Sequence, residues 1–268
     1  MIARYYFQAL MTNKLLWFWG GFFSFMWAIL GAFVFYNGSI TSINVKYITA
    51  SYYAIISLVS FSAVSITLAT SIAWSSNSLI FSFKFTKLSK RRYLLDLMLA
   101  WILVSVFLIV IGILFTSSMF YLSSKVDVFP DYLSFLKTFS VEIFIGLFFM
   151  SISVMLVLLV ISFSRIKFVQ FLSFIPMVLV FGLSYQLLFG SASKILMYLS
   201  PWDSAPSLIQ AAFLSSSPLN SFVLSNPQRL SWQLLIAGLM LWELTIFVID
   251  IYLFKHIKAQ DIEAMRQV

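Results

Sequence analysis

Six stretches of this chain run for about 20 residues or more with almost no charge, long enough to cross the ~30 Å of hydrocarbon in a bilayer at 1.5 Å per helical residue. They cover residues 15–36, 52–74, 94–116, 138–163, 168–190 and 232–254. Inside lipid the backbone has no water to bond, so runs of this kind must satisfy their own polar groups as helices. Composition points the same way. The chain is 62% hydrophobic and 10% charged, against about 45–50% and 25% in soluble domains. Its 268 residues could not cover themselves with polar surface in water. The expected fold is therefore an all-α integral membrane protein with six transmembrane helices. The first run is too long for a signal-peptide core and no small-residue cleavage site follows, so it reads as a retained span.

Charge sets the expected orientation. The stretch between the second and third runs, residues 75–93, holds Lys84, Lys87, Lys90, Arg91 and Arg92 and no acid. With six spans, the same side receives Arg4, Lys14, Arg165, Lys167, Lys255, Lys258 and Arg266, twelve basic residues in all. The other side receives five, Lys46, Lys125, Lys137, Lys194 and Arg229. Basic loops stay cytoplasmic, which places both termini inside a cell membrane. The net charge of +8 is explained by those loops and by contact with membrane lipids, with no nucleic-acid partner implied.

Three segments lie outside the spans and have character of their own. In residues 1–14, Ile2, Tyr5, Tyr6, Ala9 and Leu10 share one helical face, as an interfacial helix would need. Residues 191–231 are apolar enough to tempt a seventh crossing, but Pro201, Asp203 and Pro206 argue against a continuous helix in lipid. Two short helices that dip in and return fit better, and the charge count also favours six spans over seven. Residues 255–268 form a cytoplasmic tail. Within the fifth span, Pro176 predicts a kink. The second span is rich in hydroxyls (Ser57, Ser60, Ser62, Ser65, Thr67, Thr70, Ser71). These suit close helix packing or a wetted face, or bonds back to their own helix.

Catalytic chemistry is sparse. The chain has no cysteine, which removes disulfides and thiol chemistry. It has no Gly-Lys dipeptide and hence no G-x-x-x-x-G-K phosphate loop, no H-E-x-x-H and no G-x-S-x-G. Its one histidine, His256, follows the last run among lysines. Four acids fall within or beside spans. Asp96 and Asp250 lie near inner ends within reach of basic residues, and Glu142 lies near Lys137 in sequence. Glu243 sits near the centre of the sixth span, where an unpaired charge costs at least ~2.5 kcal/mol on insertion scales. It is the expected intramembrane acid, with either a functional role or a hydroxyl partner on a neighbouring span.

The basic stretch also has helical faces. Phe81, Phe85 and Leu88 follow i, i+4, i+7, and Lys84, Lys87 and Arg91 follow i, i+3, i+7. A short amphipathic helix here would suit a groove on a cytosolic partner. Phe81, Phe83 and Phe85 also alternate with a period of two, and a basic loop resting on anionic lipid heads needs no partner.

The order of these parts resembles the membrane subunit of type-2 ABC exporters over nearly the whole chain. The best local matches are Thr86–Ala100 (TKLSKRRYLLDLMLA), similar to that family's turn into the third span, and Leu199–Phe213 (LSPWDSAPSLIQAAF), similar to its Leu-Ser-Pro segment before the last span. Asn77–Phe85 lacks the family's Glu-x-Gly-Thr run, and Lys87 stands where Pro is usual. The resemblance implies a coupling helix over Leu79 to Leu88, with Leu79, Phe81, Lys84, Phe85, Lys87 and Leu88 docking a cytosolic ABC ATP-binding subunit. It implies ATP and Mg bound by that subunit and no cofactor, metal or catalytic residue in this chain. It also implies pairing with a second copy or a similar permease, and an outer re-entrant segment carrying Pro201, Asp203 and Pro206. Outside that family, the residues also allow a membrane assembly protein that transports nothing, or an ion-coupled transporter using Glu243.

Overall fold

A computed structural model of the chain describes residues 2–36, 42–85, 89–163, 168–223 and 227–255. Among these, nine helices account for the architecture: α1 (Ile2–Met11), α2 (Lys14–Phe35), α3 (Ser42–Phe85), α4 (Lys90–Ser124), α5 (Tyr132–Ser162), α6 (Val169–Phe189), α7 (Lys194–Leu199), α8 (Pro201–Leu214) and α9 (Trp232–Lys255). Six of them, α2, α3, α4, α5, α6 and α9, are long and apolar enough to cross a membrane. No strand forms among the described residues, beyond one isolated antiparallel bridge between Leu219 and Arg229.

Burial ranks the six. In its most apolar window α3 is 89% buried and α9 only 22%, so α3 is the axis and α9 a peripheral helix. α5 packs along α3 and α9, while α4 lies beside both α3 and α5. α8 fills the remaining angle between α3 and α5, and α2 covers the outside of α3 and α4.

Several helices outrun the apolar stretches that predicted them. α3 has 44 residues, about 66 Å at 1.5 Å per residue, roughly twice the hydrocarbon thickness. It carries the helical backbone through Phe85, which replaces the expected loop from residue 75 and removes the period-two alternative there. The next helix restarts at Lys90, with Ser89 as its N-cap accepting from Arg92 N at 3.2 Å. The expected loop 117–137 is also shorter. α4 runs to Ser124 and ends on Lys125 in the left-handed conformation (φ 59°), and α5 begins at Tyr132 behind Asp131. Helix continues past the apolar run because each further residue satisfies its own N–H and C=O. The turn 164–167 and residues 256–268 of the tail lie outside the described residues.

α1 is helical as its periodicity implies, but its buried stripe is narrower than the apolar face. Tyr6 and Leu10 are buried while Tyr5 is exposed. The Tyr6 hydroxyl meets Tyr93 Oη at 2.9 Å and Ser75 Oγ at 3.1 Å, joining α1 to α4 and α3. Burial pushes the Tyr6 hydroxyl above its usual pKa, against the pull of those two hydrogen bonds, so it remains protonated at physiological pH. The corner into α2 is held by Asn13, whose side chain accepts from Leu15 N, and by Trp17 Nε1 donating to Met11 O at 2.6 Å.

α6 is broken as Pro176 predicts. It resumes at Ile175 after a non-α turn at Phe174, then passes through a wider turn over Val180–Ser184. α9 approaches the chain at Tyr198 closely enough that only glycine fits. A Cβ at Gly238 would stand 2.5 Å from the Tyr198 carbonyl oxygen. Gly238→Ala should destabilise the protein by about 1–3 kcal/mol of overpacking, more than the ~1 kcal/mol that alanine gains in a helix. Gly182→Ala, where a Cβ meets nothing within 4 Å, is the matched control. A thermal melt in detergent showing equal loss for both would refute the close approach.

Candidate functional site: buried carboxyls in the helix bundle

The hydroxyls of α3 divide between two uses. Ser62, Thr67, Thr70 and Ser71 donate to carbonyls of their own helix. Ser57, Ser60 and Ser65 reach across it. Ser60 donates to Gly20 O at 2.9 Å and meets Ser24 Oγ at 3.0 Å, which holds α2 against α3, and Ser65 donates to Phe149 O at 2.9 Å on α5. Ser57 donates to Glu142 Oε1.

Glu142 is the centre of the bundle's polar chemistry, and sequence reasoning placed it elsewhere. It is 0% exposed. Tyr53 Oη donates to Oε2 at 2.6 Å, one helical turn from Ser57 on the same face of α3. The expected neighbour Lys137 turns away to Ser215 Oγ, 3.2 Å from its Nζ. A buried polar group left without its hydrogen bond costs about 1–3 kcal/mol, and here both carboxyl oxygens have a donor. The clamp therefore offsets the carboxyl's burial and fixes the register of α3 against α5.

One turn further along α5, Gly146 leaves room for two polar groups of α4. A Cβ there would stand 3.2 Å from both Trp101 Nε1 and Ser105 Oγ. Both atoms are buried and make no hydrogen bond among the described residues. Beside them Tyr53, Ser57, Ser60 and Gly112 border a void of ≈ 10 Å³, about the room one water needs. α3, α4 and α5 thus converge on a small polar core roofed by Phe213 of α8, whose ring lies 5.3 Å from that of Tyr53.

Glu243, the acid singled out from sequence, is half-buried and has a hydroxyl partner. Ser151 Oγ of α5 donates to its Oε1 at 2.9 Å, and its buried Oε2 is unpaired among the described residues. Asp250 lies two turns on, seven residues later and so on the same face. It is 2% exposed. The ion pairs anticipated at Asp96 and Asp250 do not form among the described residues. Lys90 instead donates to Phe254 O at 2.7 Å, a cation on a helix's last carbonyls.

The segment before α9 is two short helices, as expected, with the break at Ser200. Pro206 lies inside α8. Proline cannot donate to the carbonyl four residues back, here that of Trp202, and Ser184 of α6 donates to it instead at 2.5 Å. Pro201 occupies the first turn, where no donor is needed. Asp203 is fully buried in that same first turn, accepting from Gln186 Nε2 at 2.8 Å. Burial pushes its carboxyl pKa up, against the pull of that hydrogen bond. Gln210 donates to Ser51 Oγ at 2.7 Å, tying α8 to α3.

Of the residues expected to dock a partner, Lys87 and Leu88 lie outside the described residues, as do the side chains of Leu79, Phe81, Lys84 and Phe85. No group of three or more metal-ligating side chains occurs among the described residues. No family model, no curated protein and no solved structure matches this chain.

The clamp at Glu142 yields a direct test. Tyr53→Phe leaves Oε2 without its donor in a fully buried site, and should cost about 1–3 kcal/mol in an unfolding titration. Ser151→Ala, at half-buried Glu243, should cost less. Equal losses would mean that the Glu142 carboxyl is not the stronger restraint.

Proposed function

We propose that this chain is the transmembrane subunit of an ATP-driven exporter, working with a separate cytosolic ATP-binding subunit and a second permease, its own copy or a similar chain. One observation carries the reading. α3 is a single helix from the middle of the bundle through Phe85, and α4 begins five residues on, at Lys90. The basic stretch thus stands at the end of a long rigid rod. A displacement applied near Phe85 would be transmitted along α3 to the Glu142 core. That is what coupling nucleotide hydrolysis to an opening of the spans requires.

The other parts fit the same scheme. α1, locked through Tyr6 and Tyr93, would brace the cytoplasmic end. α7 and α8 would close the outer end as a re-entrant pair, their broken backbone shielded by α3, α5, α6 and α9. Both termini would be cytoplasmic in the plasma membrane, following the bias of basic residues.

An ion-coupled carrier, expected to use Glu243, is the second reading, and Glu142 is a further observation in its favour. A wholly buried carboxyl with two hydroxyl donors is a candidate proton site. The two readings separate in vesicles. Phe81→Ala, Phe85→Ala and Leu88→Ala together should strip the ATP-binding subunit on co-purification and abolish transport-linked ATPase activity, while Glu142→Gln should leave ATP dependence intact. Retention of the partner with unaltered ATPase activity would defeat the exporter reading. Loss of gradient-driven uptake in Glu142→Gln without any ATP dependence would establish the other.

A further inference from the structure

Between α1, the lower part of α3 and the start of α6, the surface closes into a cleft of about 520 Å³. This is within the 300–1,000 Å³ or so typical of ligand sites. Tyr5 and Ala9 of α1, Thr70, Ser71 and Trp74 of α3, and Gln170 of α6 form its walls, and no Lys, Arg, Asp or Glu lines it. It is distinct from the Glu142 core and from the basic stretch.

The hydrogen bonds already made there decide what the cleft can accept. Thr70 Oγ1 donates to Ile66 O at 3.0 Å and Ser71 Oγ to Thr67 O at 2.7 Å. Their protons are spent on the helix, so toward the cleft both present lone pairs. Asn13, on the opposite lip, uses its carbonyl oxygen on Leu15 N, which leaves its NH₂ group to donate.

The lining thus mixes donors, on Asn13, Gln170 and Trp74, with the Thr70 and Ser71 acceptors, and it holds no cation to pair with a phosphate or carboxylate. An ammonium group would find no carboxylate on the lining. A neutral group bearing several hydroxyls both donates and accepts, and so satisfies both lips. Tyr5 and Trp74, 63% and 69% exposed, add aromatic faces for the apolar side of such a group. The rim points to a lipid as its carrier. Leu15 and Trp74 lie at the ends of two membrane-length apolar stretches, and Tyr and Trp concentrate where hydrocarbon meets water.

We propose that this cleft binds the uncharged polyhydroxyl headgroup, a sugar or polyol, of a membrane lipid. The test is native mass spectrometry of the whole chain released from a zwitterionic detergent, titrated with monoglucosyl-diacylglycerol, phosphatidylglycerol or methyl glucoside. The glucolipid should bind at least tenfold more tightly than phosphatidylglycerol, and methyl glucoside more weakly than either. Thr70→Val with Ser71→Ala, which removes both acceptors and keeps the shape, should lose tenfold or more in glucolipid affinity without lowering the melting temperature. Ala9→Phe, which fills the cleft, should do the same. Phosphatidylglycerol binding as tightly as the glucolipid would overturn the headgroup, and methyl glucoside binding as tightly would overturn the lipid carrier. Glucolipid affinity unchanged in the hydroxyl double variant would overturn the site, whether or not Ala9→Phe folds.

Discussion

The contact between α3 and α5 is the constraint on which the bundle rests, and Glu142 is its pin. A carboxyl shut away from water is costly wherever it sits, so its two donors must be in place whenever the helices pack. Tyr53 and Ser57 supply them from one face of α3, one turn apart. Sliding α5 along α3 by a single residue would misalign both. Ser65 repeats the restraint further along, bonding the backbone of Phe149. Between nearly featureless apolar surfaces, these few polar bonds distinguish one register from its neighbours.

The same accounting explains the segment before the last helix. Backbone buried away from water must find partners among side chains when helix geometry fails to provide them. Ser184 serves the carbonyl that Pro206 cannot. Ser207 both donates to Leu219 O and accepts from Leu219 N, folding the chain back on α8. Asn220 bonds Ala192 O through its amide nitrogen and Gln228 N through its oxygen. The small polar residues of this region therefore replace a regular hydrogen-bond ladder.

The helices themselves were legible from the sequence because apolar length is a local property. Their ends were less so. The apolar run stops near Trp74, yet α3 continues to Phe85, since helix beyond the lipid costs little once the chain is already wound. The choice of Glu243 over Glu142 shows a second limit. Glu142 lies five residues from Lys137, which invited pairing, but five residues is 1.4 turns and places the two side chains on different faces. The partner hydroxyls of Glu142 are 85 and 89 residues away in the chain. No spacing along one helix signals them, and of the two only Ser57 belongs to the hydroxyl set read from the second run.

Sequence alone determined that six runs are long and apolar enough to cross a membrane: about 20 apolar residues per run leave only helices in lipid. Tertiary structure decided which polar groups meet. Ser60 and Ser62 differ by two positions, yet one holds α2 and the other bonds its own helix. The physical reason is that a hydroxyl in an apolar bundle takes whichever acceptor lies within reach. For a residue facing another helix, that acceptor belongs to a chain segment the local sequence does not contain.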